Sequence, residues 1–278
     1  MARTGSSGCY MNTIRYQAIT LPETEPRTPY AVYIINKETI YCVNGNEDSP
    51  PAKVLGKAGN WPGFGAIVES AQSLYVAEQA LFKVSTWDGS YKRLGSGTWE
   101  ESTSMAWFGD LYIIQRGSLY SADQTTGQYK LLGRPDDWQG HTSMAAVMLD
   151  RDGVSSRRLF VIQSEKLWEV ARDGTYKRVG MANWYTPAYI SAIGEALYAI
   201  ENSRFQYIDG NTGQYTVIGE AVYSQTTAFA GADGQAFAID AGRLLRINIY
   251  DGSHVKLSDG WDGPSVMTVV RNAKCRSE

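Results

Sequence analysis

The chain has 278 residues, 43% hydrophobic and 20% charged, with a net charge of −3 and a sequence pI of about 5.6. That share of apolar side chains excludes a disordered chain, and the acidic balance lacks the basic footprint of a nucleic-acid binder. No apolar run approaches the ~20 residues of a membrane helix.

With 18 Tyr, 8 Trp and 28 Gly, the composition leans toward strands joined by glycine turns. Residues 1–29 read as a tail and linker. The opening stretch MARTGSSGCYMNTIRYQ has no apolar region of signal-peptide type. The expected location is therefore cytoplasmic or non-classically secreted. Residues 21–29, LPETEPRTP, carry three prolines and lead into the first predicted strand.

From residue 30 a unit of about 38 residues repeats. One aromatic marks it six times: Trp61, Trp99, Trp138, Trp184, Tyr223 and Trp261, at spacings of 38, 39, 46, 39 and 38. Six residues later stands an apolar residue: Ile67, Met105, Met144, Ile190, Phe229 or Met267. Next comes a strand start, Val32-Tyr33, Leu74-Tyr75, Leu111-Tyr112, Leu159-Phe160, Leu197-Tyr198 or Ala236-Phe237. A second short apolar run follows, then a glycine turn such as Asp88-Gly89, Thr126-Gly127 or Asp251-Gly252. Units end in YKRLG (91–95), YKLLG (129–133), YKRVG (176–180) or YTVIG (215–219).

Each unit reads as four strands with turn residues between them, and no stretch sustains a helical period. Four-stranded units repeated in phase predict an all-β fold, a six-bladed β-propeller of four-stranded antiparallel blades over residues 30–273. Residues 263–270, GPSVMTVV, form a first strand with no blade after it, and Val32-Tyr33 opens a blade with no first strand. The C-terminal strand is expected to close the ring. Residues 12–20 are the rival for that slot, but lack the preceding Trp. Residues 274–278 read as a tail. The longer interval comes from an insertion at 149–158, between the first two strands of its blade. Its Asp150 and Asp152 are too few for a calcium loop.

The repeats resemble lectin-type β-propellers, such as the tachylectin and tectonin groups, in their short blades, recurrent aromatic and glycine turns. The likeness spans 30–273 at the level of blade pattern. The kelch Gly-Gly pair, the WD dipeptide and the sialidase Asp box do not recur.

No catalytic motif, metal-ligand spacing or phosphate loop is present, so no catalytic residue, metal or cofactor is assigned. His141 reads as a loop residue, and His254 stands where other copies have Tyr91, Tyr129, Tyr176 and Tyr215. Cys9, Cys42 and Cys275 show no paired spacing and are expected as reduced thiols. A Cys9–Cys275 bridge is conceivable only because ring folds bring their ends together.

A polar residue recurs three positions after each strand-start aromatic: Asn36, Glu78, Gln115, Gln163, Glu201 and Asp240. The repeat aromatics Trp61, Trp99, Trp138, Trp184, Tyr223 and Trp261 belong to the same face. An aromatic beside an amide or carboxylate suits a sugar. The pairs expected to matter most are Glu78 with Trp99, Gln115 with Trp138, and Gln163 with Trp184. The same residues also suit a structural role, with the rings wedged between sheets and the polar groups satisfying turn amides. The leading expectation is a monomeric, non-enzymatic multivalent protein that recognises a glycan. A protein-interaction scaffold is the alternative, and a propeller hydrolase or lyase comes third. Neither nucleic acid nor membrane insertion is expected.

Overall fold

A computed structural model describes residues 29–63, 65–232 and 234–275. Among the described residues, 24 strands form six four-stranded antiparallel sheets. Blade I contains β1 (Tyr30–Asn36), β2 (Thr39–Asn44) and β3 (Lys53–Val54). Blade II is β4 (Ala66–Ser70), β5 (Ser73–Ala77), β6 (Leu81–Ser85) and β7 (Tyr91–Leu94). Blade III is β8 (Ser102–Trp107), β9 (Leu111–Gln115), β10 (Ser118–Ala122) and β11 (Tyr129–Leu132). Blade IV is β12 (Ser143–Arg151), β13 (Val154–Gln163), β14 (Lys166–Val170) and β15 (Tyr176–Arg178). Blade V is β16 (Tyr189–Ile193), β17 (Ala196–Glu201), β18 (Arg204–Ile208) and β19 (Tyr215–Val217). Blade VI is β20 (Thr226–Ala232), β21 (Gln235–Asp240), β22 (Arg243–Asn248) and β23 (His254–Asp259).

The last strand, β24 (Ser265–Arg271), returns to blade I as its innermost strand. It pairs antiparallel with β1, from Tyr30↔Arg271 to Asn36↔Ser265. The predicted six-bladed ring and its closure by the C-terminal strand are therefore present. The rival segment 12–20 lies outside the described residues.

Position across a blade decides composition. Second strands are buried on both faces, because each sheet is sandwiched between neighbours; all residues of β1 and β9 are buried. Fourth strands look outward, and in β7 only Leu94 is buried. The core is divided into six clusters, and each contains one repeat aromatic. The cluster around Trp99, for example, joins Tyr75 and Leu81 of blade II to Met105 and Ile113 of blade III.

The insertion lengthens a hairpin. β12 and β13 run to nine and ten residues, paired out to Arg151↔Val154. Asp150 Oδ1 accepts the Gly153 N–H at the tip. Arg151 and the Asp150 carbonyl both bond Asn211 of blade V, so the hairpin leans on its neighbour.

The cysteine expectation needs correction. Cys42 on β2 is disulfide-bonded to Cys275, with α-carbons 5.6 Å apart, so these two are not reduced thiols and Cys275 does not pair with Cys9. Cys9 lies outside the described residues. Cys275, placed by sequence in a tail, is buried, and its N–H donates to Asn44 Oδ1 at 2.7 Å. The physical reason is closure itself: β24 delivers the chain end to the blade that holds Cys42, across 233 residues of sequence.

Candidate functional site

Strands alternate direction, so one face of the ring carries the links between blades and the turns between second and third strands. The repeat aromatics lie there, each bound through its backbone to the turn of the blade just completed. Trp61 N donates to Glu38 O, Trp99 N to Gln79 O, Trp138 N to Gly117 O, and Trp184 N to Glu165 O. Tyr223 N donates to Ser203 O and Trp261 N to Gly242 O.

The six rings themselves are between 1% and 4% exposed. Each tryptophan among them meets aromatics of the blade that follows, edge to face. Trp61 lies 5.5 Å from Phe82 and 5.4 Å from Tyr91; Trp99 lies 5.2 Å from Tyr129, and Trp138 5.0 Å from Tyr176. Trp184 meets Tyr215 and Trp261 meets Tyr41. Tyr223 meets His254 at 5.6 Å, so His254 does occupy the packing position of the other copies. These rings present no face for a sugar to stack on.

The polar series is buried as well, and its partners differ from those expected. Each side chain bonds the link entering its own blade. Gln115 Nε2 donates to Thr98 O and Glu100 O, both at 2.9 Å, either side of Trp99. Gln163 Nε2 donates to Gln139 O, next to Trp138. Glu78 accepts the Gly63 N–H, two residues after Trp61. Glu201 accepts from Tyr185 N, after Trp184, and Asp240 from Gln225 N, after Tyr223. Asn36 Nδ2 donates to Asp262 O, after Trp261. Gln115 thus belongs with Trp99, Gln163 with Trp138, and Glu78 with Trp61, one blade earlier than sequence implied. The reason is that the side chain points back to the start of its own sheet, while the outgoing link is met by the adjacent turn backbone and by side chains at the start of the third strand, such as Thr39 and Ser118.

What remains open on the link face is a basin of about 760 Å³ over the axis. Links and strand starts from several blades line it: Gly63, Glu100, Glu101, Thr103, His141, Thr142, Tyr189 and Pro264 among them. Glu100 and Glu101 share Arg116, each at 3.3 Å, and their side chains stay mostly exposed. His141 Nε2 lies 3.0 Å from Ala188 O, and its ring meets Tyr189 edge-on at 5.5 Å. The hydroxyls of Thr103 and Thr142 are 2.6 Å apart. The Thr227 hydroxyl at the same basin is buried without a partner among the described residues. Burial pushes the Glu78 carboxyl up, against the Gly63 N–H that favours its charged form. Sequence placed His141 in a loop, but carried no signal that these links meet.

Below the basin the ring encloses an axial cavity of about 330 Å³. All six residues found six positions after the repeat aromatics line it: Ile67, Met105, Met144, Ile190, Phe229 and Met267. The pattern was visible in sequence; its meaning, an apolar girdle around the axis, was not.

Among the described residues no group of three or more His, Cys, Asp or Glu is placed to hold a metal ion, and no helix is long and apolar enough to cross a membrane.

The sheets, closure and axial openings define a six-bladed β-propeller. No protein-family profile matches the chain, and no curated protein matches it. Among solved structures it is similar to a chain in the crystal structure of a nidogen/laminin complex, at 10% identity and a TM-score of 0.69. The match covers 86% of this chain and 98% of that one. A likeness at that identity establishes the shared fold.

Proposed function

We propose that the chain is a non-enzymatic binding protein whose ligand is another protein, engaged at the link-face basin. The carrying observation is that the basin breaks the repeat: Glu100 and Glu101 line one side, and His141 and Tyr189 another. A site for one partner needs such asymmetry, whereas six equivalent sites would need open repeat positions, and these are packed. The similar solved chain belongs to a nidogen/laminin complex, an assembly of proteins, which supports a protein ligand. The Cys42–Cys275 bridge suits an oxidising compartment and hence an extracytoplasmic partner. A binding role fits the chemistry, because His141 and Glu78 contact backbone groups rather than a nucleophile.

A carbohydrate comes second, in keeping with the lectin-type resemblance. The Thr103 and Thr142 hydroxyls and Tyr189 favour it, as one central site instead of six. The test is a paired screen of the protein and its Glu100→Lys/Glu101→Lys variant against extracellular proteins and a glycan panel. A protein captured at unit stoichiometry by the parent and lost by the variant is expected. Glycan binding without such a protein would put the carbohydrate first.

A further inference from the structure

The face opposite the links carries a second opening to the axial cavity. Trp107, at the end of β8, and Arg157, on the long hairpin of blade IV, line the same cavity as the apolar girdle. The Arg157 guanidinium stands 4.0 Å from the centroid of the Trp107 ring. Beside it Arg172, from the turn between β14 and β15, stands 5.2 Å over Phe108. Adjacent residues of blade III thus hold two arginines of blade IV side by side.

Their neighbours are neutralised and they are not. Arg151 and Arg158 both pair with Glu169, which Lys177 also contacts. Among the described residues, Arg157 and Arg172 have no carboxylate oxygen within 4.0 Å and donate no hydrogen bond. Burial disfavours the charged form of Arg157, and the charge of Arg172 adds to that. Arg157 lines the mouth half-buried and Arg172 stands exposed beside it, and two like charges so placed repel until an anion lies near both. The buried Trp107 indole N–H also lacks an acceptor among the described residues. Glu69 lines the cavity too, but its carboxylate accepts the Gln72 N–H and feels the charge of Arg271.

We propose that this mouth binds a small monocarboxylate with an apolar body. The planar guanidinium forks match a carboxylate. The body descends into the cavity, whose 330 Å³ falls at the small end of ligand pockets, against Met105, Met144 and Phe229. A compact dianion such as phosphate would meet the arginines but leave the apolar girdle unused.

Calorimetric titration with hexanoate, acetate, hexanol and inorganic phosphate tests this. Hexanoate should bind at unit stoichiometry and at least tenfold tighter than each of the other three, since every buried methylene adds up to about fourfold. Arg157→Gln should weaken hexanoate tenfold or more. Arg172→Gln, on an exposed turn, should do the same and serves where Arg157→Gln alters folding. Hexanoate binding no tighter than acetate, phosphate binding tighter than hexanoate, or affinities unchanged in Arg172→Gln would overturn the proposal.

Discussion

The backbone of Gly127 rests on the backbone of Gly95. Gly95 ends blade II and Gly127 lies in the last turn of blade III; a β-carbon on Gly127 would stand 2.6 Å from the Gly95 nitrogen and 2.4 Å from the Leu94 carbonyl carbon. The same contact joins Gly56 to Gly89, Gly133 to Gly174, Gly180 to Gly213, and Gly219 to Gly252. All ten have positive φ, and at every one but Gly56 the contact also excludes a side chain. Blades therefore meet backbone to backbone at their outer edge, as well as through the aromatic wedges.

Gly127→Ala should destabilise the protein by about 2–4 kcal/mol, from left-handed strain plus overpacking against fixed backbone. Gly140→Ala is the control: its φ is +82°, but nothing lies within 4 Å of its would-be β-carbon. It should cost about 1–2 kcal/mol. Urea unfolding of both variants checks the difference, and equal losses would remove the role given to the glycine contact.

Trp99→Ala should cost about 3–5 kcal/mol, because the indole fills the wedge between blades II and III. Gln115→Ala should cost about 1–2 kcal/mol, because two part-buried hydrogen bonds to carbonyls of the Trp99 link are lost. From sequence alone, the Gln115 substitution would be expected to spare folding. Thermal midpoints of the two variants decide the matter; an unchanged midpoint for Gln115→Ala would mean that water replaces its amide.

Cys42→Ala should lower stability by about 2–5 kcal/mol, since the bridge closes a very long loop in the unfolded chain. The β24–β1 pairing, which the bridge backs, should loosen first. Hydrogen exchange read along β24 should show this under reducing conditions, while blades III and IV keep their protection. Uniform loss of protection would mean that the ring opens only as a whole.

Glu169 should make stability fall in acid. Burial alone would push its carboxyl up. Hydrogen bonds from Arg158 and Lys177, with the charges of Arg151 and Lys177, outweigh that and hold it below the usual carboxylate range. A depressed folded pKa stabilises above the unfolded value and loses that contribution as pH falls through the folded one. Glu169→Gln should therefore cost about 1–2 kcal/mol near pH 7, with solvent screening the exposed Lys177. The deficit should shrink toward zero below the folded pKa, as chemical denaturation from pH 7 to pH 2 would show. A deficit independent of pH would point to packing instead.

Much of the fold was legible in local sequence. The spacing of Trp61, Trp99 and Trp138 marked the blades, and the unmatched strand at 263–270 marked the closure, because apolar pattern and turn residues act within one sheet. The site was less legible. Gln115 and Trp138 are neighbours in the repeat, yet the Gln115 amide turns back to Thr98 and Glu100. Nothing in one unit tells whether a turn residue faces the incoming link or the outgoing one.

By itself the sequence determined six units, their strand order and which strand would close the ring, since hydrophobic periodicity and glycine turns specify sheets locally. Only the tertiary structure decided what lies between sheets and along the axis. Packing turned the aromatics inward, so they stabilise blades instead of offering a surface. Closure joined Cys42 to Cys275 across the chain ends. Convergence of separate links made the basin around Glu100 and His141, and adjacency of blades III and IV set Arg157 over Trp107 and Arg172 over Phe108. These contacts depend on distances between residues remote in sequence, which the cyclic arrangement of blades sets and no single repeat encodes.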